Sequence, residues 1–310
     1  MGGFLRSLQA TKELRVTSSN NSLNDTSADF SGLWIPLITP FRRGAVDHTA
    51  LDRLVRRLHD DGVSGLVACG STGEAAALDE DEQRAVLATT VQAAQGLPVV
   101  MGMSAYHLPQ AVAWARELAS MPIAGLLVPP PHYIRPSQAG LLHWFHALAD
   151  ASRLPLIIYD IPYRTGVRLE RQTLLALAEH PGIRAVKDCG GDAAKTLALI
   201  AQGRLQVLAG EDLQLFATMA QGGAGAIAAS AHVYTRRFVQ MMRAFSDDKL
   251  GDARVLWQTL VPWIEAAFAE PNPAPVKAML AHQGAIEAEL RPPMTQCSEQ
   301  HRAAMLQAFP

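Results

Sequence analysis

The chain has 310 residues, 49% of them hydrophobic and only 18% charged, with a formal net charge of −2 at pH 7. Charged residues ordinarily make up about a quarter of a globular domain, so this composition implies a large interior or a subunit interface. The near-neutral balance argues against a nucleic-acid binder, and no apolar run reaches the roughly 18 residues that a membrane span needs.

Residues 1–30 are polar and without period, as in SSNNSLNDTSADF. They lack a clean secretory signal and are expected to form a mobile tail or an extension outside the fold. From Leu33 short apolar runs alternate with helical segments. LWIPLIT precedes a helix over Thr49–Asp61, GLVAC one over Asp79–Gln95, and PVVMGM one over Pro109–Ser120. AGLLVP, LPLIIYDI and IRAVKD precede helices at Ser137–Ala151, Glu170–His180 and Ala193–Gln202. LQVLAG and AGAIAAS precede Asp212–Gln221 and Thr235–Ser246, which makes eight β/α units. Strands that are apolar throughout are what a helix-covered parallel sheet requires. Eight units in one domain predict an α/β fold of the (β/α)₈ TIM-barrel type over 31–248. A doubly wound sheet is the competing architecture, but the first βα turn carries ITPFRRG, not GxGxxG. Three further helices, Gly251–Ala269, Ala274–Gln283 and Cys297–Phe309, are separated by the proline-rich EPNPAP and LRPPMT and form a C-terminal helical appendage over 249–310.

In a barrel the working end is where strands meet the loops that follow them. Only five lysines occur, Lys12, Lys187, Lys195, Lys249 and Lys277. Lys187 alone directly follows a strand, Ile183–Val186. Burying an ammonium favours the free amine, which condenses with a ketone to a Schiff base. The alternative for Lys187 is a structural ion pair with Asp188 or Glu211. The other four sit in the tail, on helices or in the appendage and read as solvated. Gly70-Ser71-Thr72-Gly73-Glu74 is a glycine-bracketed turn whose amides and hydroxyls suit a small carboxylate or phosphate, although such turns also serve as plain connectors. Glu74 reads as a loop-fixing carboxylate. Tyr159 ends strand 5, beside Lys187, where a phenol can move protons or simply be a satisfied core hydroxyl. Arg164 is a planar donor fork suited to a substrate carboxylate, or an ordinary surface arginine. The three cysteines, Cys69, Cys189 and Cys297, form no CxxC pair and fit reduced thiols in the cytoplasm. The ten histidines show no metal-ligand spacing, so neither a metal nor a cofactor is expected.

With these residues assembled, the chain resembles the dihydrodipicolinate synthase / N-acetylneuraminate lyase family of class I, pyruvate-dependent aldolases. The resemblance rests on ITPF, GSTGE, PPPHYIRPSQAGL, YDIPYRTG, AVKD, GED and EPNPAPVKAML, and covers about residues 32 to 309. It implies Lys187 as the Schiff-base lysine, Tyr159 as the acid–base phenol, and Thr72 with its turn as the holder of the pyruvate carboxylate. Ser71 would link Tyr159 to Tyr133, a tyrosine that reaches a neighbouring subunit's site. Arg164 would bind the second substrate's carboxylate, with Gly210 and Ile227 lining the site. A dimer at least, and usually a homotetramer, goes with that arrangement. Arg164-Thr165-Gly166 resembles the synthase branch, which condenses pyruvate with aspartate 4-semialdehyde to 4-hydroxy-tetrahydrodipicolinate on the way to diaminopimelate and lysine.

Departures from the family pattern fall beside these residues. Ser71 replaces Thr, Asp160 replaces Asn, Tyr163 replaces Ser, and Asp188-Cys189-Gly190-Gly191 replaces E-A-(T/S)-G. They leave open an aldolase or dehydratase for a 2-keto-3-deoxy sugar acid or N-acetylneuraminate. Ala75, Glu80, Gln110 and His132 replace residues that hold lysine in feedback-inhibited relatives, so weak or absent lysine inhibition is expected.

Overall fold

The computed structural model describes residues 28–309. Most of the polar tail expected over 1–30 therefore lies outside the described residues. Its last positions do not. Phe30 is fully buried, and its amide donates to Gln206 Oε1 at 2.8 Å.

Eight strands close into one parallel barrel: β1 Gly32–Pro36, β2 Gly65–Ala68, β3 Val99–Gly102, β4 Gly125–Val128, β5 Leu156–Asp160, β6 Ile183–Asp188, β7 Gln206–Ala209 and β8 Gly225–Ile227. Each strand pairs with its sequence neighbour, and β1 closes the ring by pairing with β8 as well as β2. The covering helices are α1 His48–Asp60, α2 Glu80–Ala93, α3 Leu108–Leu118, α4 Gln138–Ser152, the short turn α5 Pro162–Thr165, α6 Arg171–Leu177, α7 Ala193–Gln202, α8 Leu215–Ala220 and α9 Thr235–Ser246. The appendage is α10 Leu250–Phe268, α11 Ala274–His282 and α12 Glu299–Ala308. Where the sequence pattern suggests one helix over Asp212–Gln221, a 3₁₀ turn at Asp212–Gln214 comes first. The turn α5 and a two-residue ribbon pairing Phe41–Arg42 with Ala45–Val46 leave no periodic trace in the sequence.

The helix starts follow local chemistry. Asp47 accepts the Ala50 amide at the head of α1, and Asp79 and Glu82 form a reciprocal capping box on α2. Strand alternation divides the interior in two. Leu33, Ile35, Leu156, Ile158 and Val186 join the large cluster beneath the helices. Trp34, Val67, Val100, Leu127, Ile157, Tyr159, Ala185, Leu208 and Ile227 fill the barrel itself. Phe30 belongs to this inner cluster, with its ring centroid 5.6 Å from that of Trp34. Gly65 makes room for Trp34, since a Cβ there would lie 2.3 Å from the indole.

Among the described residues three lysines, not one, are buried. Lys195 and Lys277 are interior as well as Lys187, so the reading of them as solvated is corrected. Each is held by a carboxylate from elsewhere in the chain. Lys195 Nζ pairs with Asp160 at the end of β5 and donates to Leu169 O at 3.3 Å. Lys277 Nζ pairs with Glu74 at 2.5 Å and donates to Glu289 O at 2.8 Å. A helical position predicts exposure only when that helix face meets water, and these faces meet the barrel rim.

Candidate active site

Period-two alternation aims the end of β6 inward. Ala185 faces the barrel interior, Val186 faces the helices, and Lys187 and then Asp188-Cys189 reach the rim, with Cys189 back in the inner cluster. Lys187 is the register partner of Tyr159 on β5. Its Nζ lies 4.3 Å from the centroid of the Tyr159 ring. Among the described residues no carboxylate forms an ion pair with it, in contrast to Lys195 and Lys277. The ion-pair alternative therefore falls. Asp188 accepts the Gly190 amide at 2.8 Å and the Thr196 hydroxyl at 2.5 Å, while Glu211 accepts the Tyr163 hydroxyl at 2.8 Å.

Burial pushes the Lys187 pKa below the ordinary lysine value; nearby Cys189, Asp212 and Glu211 oppose that shift and Arg164 adds to it. Burial also drives the Tyr159 phenol well above its usual range, so it enters any reaction protonated. The Asp212 carboxyl is pushed up to about 6 by burial, although Ser230 donates to it from its amide at 2.8 Å and its hydroxyl at 2.6 Å.

The GSTGE turn follows β2 and forms a 3₁₀ turn over Ser71–Gly73. A Cβ at Gly73 would lie 2.8 Å from Leu37 O, so only glycine lets the turn settle against β1. Thr39 Oγ1 donates to Gly73 O at 2.7 Å, and Glu74 takes a left-handed φ of 53°. Glu74 is the loop-fixing carboxylate expected, tied to Lys277 and accepting the Arg291 amide at 3.1 Å. Ser71 and Thr72 open the turn, so their amides have no partner within it. Ser71 Oγ lies 3.5 Å from the Tyr159 hydroxyl. Thr72 Oγ1 accepts Asn272 Nδ2 at 2.9 Å, which leaves the threonine proton free to donate.

Seven of the eight expected site residues, Lys187, Tyr159, Ser71, Thr72, Arg164, Gly210 and Ile227, line one cavity of about 330 Å³. Gly210 is required there, because a Cβ would lie 2.9 Å from Lys187 Cγ and 2.4 Å from Cys189 Sγ. Tyr133 is not part of the cavity. It is 90% exposed with a left-handed φ of 73°, projecting away from its own chain. Asn272, Asp212, Tyr163 and Glu211 also line the cavity and are absent from the site expected from sequence. Asn272 was hidden in the proline-rich break after α10, and Asp212 and Glu211 in the GED turn. A neutralisable amine, a phenol and a turn with two unpartnered amides around one cavity can form and use a Schiff base.

The sequence model of the Dihydrodipicolinate synthetase family matches residues 29–309. A 4-hydroxy-tetrahydrodipicolinate synthase of Pelobacter propionicus is 36% identical over 279 residues, 89% of this chain and 96% of its own. One from Haloarcula marismortui is 35% identical over 280 residues, 89% and 92% of the two chains. Among solved structures, dihydrodipicolinate synthase from Aquifex aeolicus superposes with a TM-score of 0.88 at 30% identity, covering 90% of this chain and 97% of that one. The pyruvate complex of the chloride-inhibited Acinetobacter baumannii enzyme gives 0.87 at 31% identity, with the same coverage.

Proposed function

The chain belongs to the dihydrodipicolinate synthetase family, and from that premise we propose that it is a lyase that condenses pyruvate with L-aspartate 4-semialdehyde to 4-hydroxy-tetrahydrodipicolinate, in lysine and diaminopimelate biosynthesis. The observation that carries the reading is Lys187, a buried amine without a counter-ion, set against Tyr159 in a cavity that also holds Arg164.

Lys187 Nζ adds to C2 of pyruvate, and the Tyr159 phenol supplies the proton with which water leaves, giving the imine. The free hydroxyl of Thr72 and the opening amides of its turn hold the pyruvate carboxylate. The imine draws electrons from C3; the Tyr159 phenolate left by dehydration takes a C3 proton, and the resulting enamine attacks the aldehyde carbon of the acceptor, whose oxygen takes that proton back from the phenol. Arg164 holds the acceptor carboxylate through its guanidinium fork. The Tyr159 phenolate then takes a proton from the acceptor's ammonium, and the freed nitrogen closes on C2 and displaces Lys187 as the free amine.

Tyr133 fits the role of a tyrosine given to a neighbouring subunit, supported by its outward projection and its absence from its own chain's cavity. The arrangement implies at least a dimer, and the assembly proposed is the homotetramer usual in the family, a dimer of dimers, working in the cytoplasm, where the free cysteines Cys69, Cys189 and Cys297 stay reduced. The test is a coupled assay with pyruvate and aspartate 4-semialdehyde, together with borohydride trapping. Turnover and a reduced pyruvyl group on Lys187 are expected; an unmodified Lys187 peptide would sink the reading.

A further inference from the structure

Tyr163 and Glu211 are joined across the cavity mouth by the bond from the phenol to Glu211 Oε1 at 2.8 Å. Tyr163 immediately precedes Arg164 on the turn after β5, and Glu211 comes from the loop after β7, so the pair closes the cavity from two sides of β6. Three carboxylates line this cavity, and two are already engaged: Asp212 is bonded twice by Ser230, and Glu270 accepts the Ser298 amide at 2.8 Å and its hydroxyl. Glu211 has one oxygen fixed by Tyr163. Its carboxylate also meets the buried Cys189 thiol, and the side chain is only half-buried, so it stays open to the cavity. The acceptor end of the site thus presents one guanidinium and one carboxylate whose direction is fixed by a phenol.

We infer that Glu211 is the specificity-determining group for the acceptor's ammonium, with Tyr163 as its positioning residue, so that with Arg164 it selects a zwitterionic α-amino acid carrying its reactive carbon on the side chain. This rests on the acceptor reading proposed above. A guanidinium and a carboxylate lining one cavity match the paired charges of an α-amino acid, whose carboxylate and ammonium share one carbon. An acceptor that lacks the ammonium leaves Glu211 as an unpaired carboxylate in a partly desolvated mouth, which is penalised. A hydroxylated sugar acid would engage Glu211 only through neutral hydrogen bonds, the weaker class.

Binding can be read without turnover by calorimetry on the pyruvate-treated protein, using L-homoserine, the unreactive alcohol of the acceptor, and 4-hydroxybutanoate, the same molecule without its amino group. The wild-type protein should prefer L-homoserine by roughly 10- to 100-fold, the range expected of a charged hydrogen bond. Glu211→Gln should abolish the preference while leaving 4-hydroxybutanoate within about twofold. Glu211→Asp should restore part of it, and Tyr163→Phe should lose part of it, with no effect on the ligand lacking nitrogen. Equal weakening of both ligands by Glu211→Gln, or an unchanged preference, overturns the inference. Borohydride trapping of pyruvate on Lys187 is run on the same samples; its failure counts against the proposed reaction, whereas the ligand preference alone decides the role of Glu211.

Discussion

Lys187 and Tyr159 are register partners on adjacent parallel strands, and the amine stands 4.3 Å from the centre of the phenol ring. The pairing is a property of the sheet, so the geometry of amine and phenol is fixed by backbone hydrogen bonds and not by a mobile loop. It leaves the lysine facing an aromatic surface where the other two buried lysines face carboxylates.

That contrast predicts opposite effects on stability. Replacing Lys195 by Met strands the Asp160 carboxylate, one oxygen of which is already buried without a hydrogen-bond partner. The loss should be about 3–5 kcal/mol. Lys187→Met removes a buried amine that has no counter-ion and should leave the protein as stable or more so, while abolishing turnover. Urea unfolding of both variants near neutral pH checks the order, and a greater loss for Lys187→Met would contradict it.

Tyr159→Phe removes the protonated phenol while keeping the ring over Lys187. Turnover should fall by roughly 10²–10⁴, the usual worth of general acid–base catalysis. Ser71→Ala should cost only about tenfold, because the Ser71–Tyr159 contact of 3.5 Å is at the weak limit of a hydrogen bond. Steady-state kinetics on the two variants measure this. A larger loss for Ser71→Ala would assign the proton traffic to the serine.

His232 gives the fold an acid limit. It is buried, its Nε2 accepts the Ile38 amide at 3.2 Å, and Nδ1 faces Ala229 O at 2.8 Å, a pair of contacts that neutral imidazole satisfies. Burial lowers its pKa from 6.5 to about 4. The folded pKa lies below the unfolded one, so this stability is complete above pH 6.5 and is lost as pH falls toward 4. The amount is about 3 kcal/mol across that window. Asp212, pushed up to about 6, has the opposite sign, its contribution being lost as pH rises from 3.8 through 6. Chemical unfolding followed from about pH 7 to pH 4.5 should show a fall that His232→Gln flattens; an unchanged slope in that variant would exclude His232 as its source.

Lysine should inhibit weakly or not at all. The cavity of about 950 Å³ beside the active site is lined by Ala75, Glu80, Gln110 and His132. Ala75 offers no hydroxyl, and the Gln110 amide donates to Glu80 Oε1 at 3.2 Å, engaging a carboxylate that could otherwise meet an ammonium. Half-inhibition at sub-millimolar lysine in a steady-state assay would refute this.

The barrel and most of its rim were legible because their causes are local. Alternating parity carries Ala185 and Lys187 to one side of β6, and capping residues such as Asp79 mark the helix starts. Lys195 and Lys277 misled because exposure depends on the face a helix turns to the barrel, and the partners that neutralise them, Asp160 at the end of β5 and Glu74 in the turn after β2, are distant in the chain. Asn272 was invisible for the same reason, and Glu211, legible beside Lys187, gave no sign of its actual partner: nothing near either in the chain records that Thr72 or Tyr163 will be its neighbour. Tyr133 belongs to a third class, since its surroundings within one chain do not complete its role.

Phe30 and Trp34 pack into the lower end of the barrel, so the space around Lys187 is stopped from below. Whatever reaches Lys187 enters and leaves on the rim side, where the strands end. Pyruvate has to reach the amine at the bottom before an acceptor fills the neck above it, and the water released by imine formation has to escape during that interval. The packing of two aromatic rings far from the chemistry thus confines traffic to one side of the amine: keto acid, water, aldehyde and product all cross the rim.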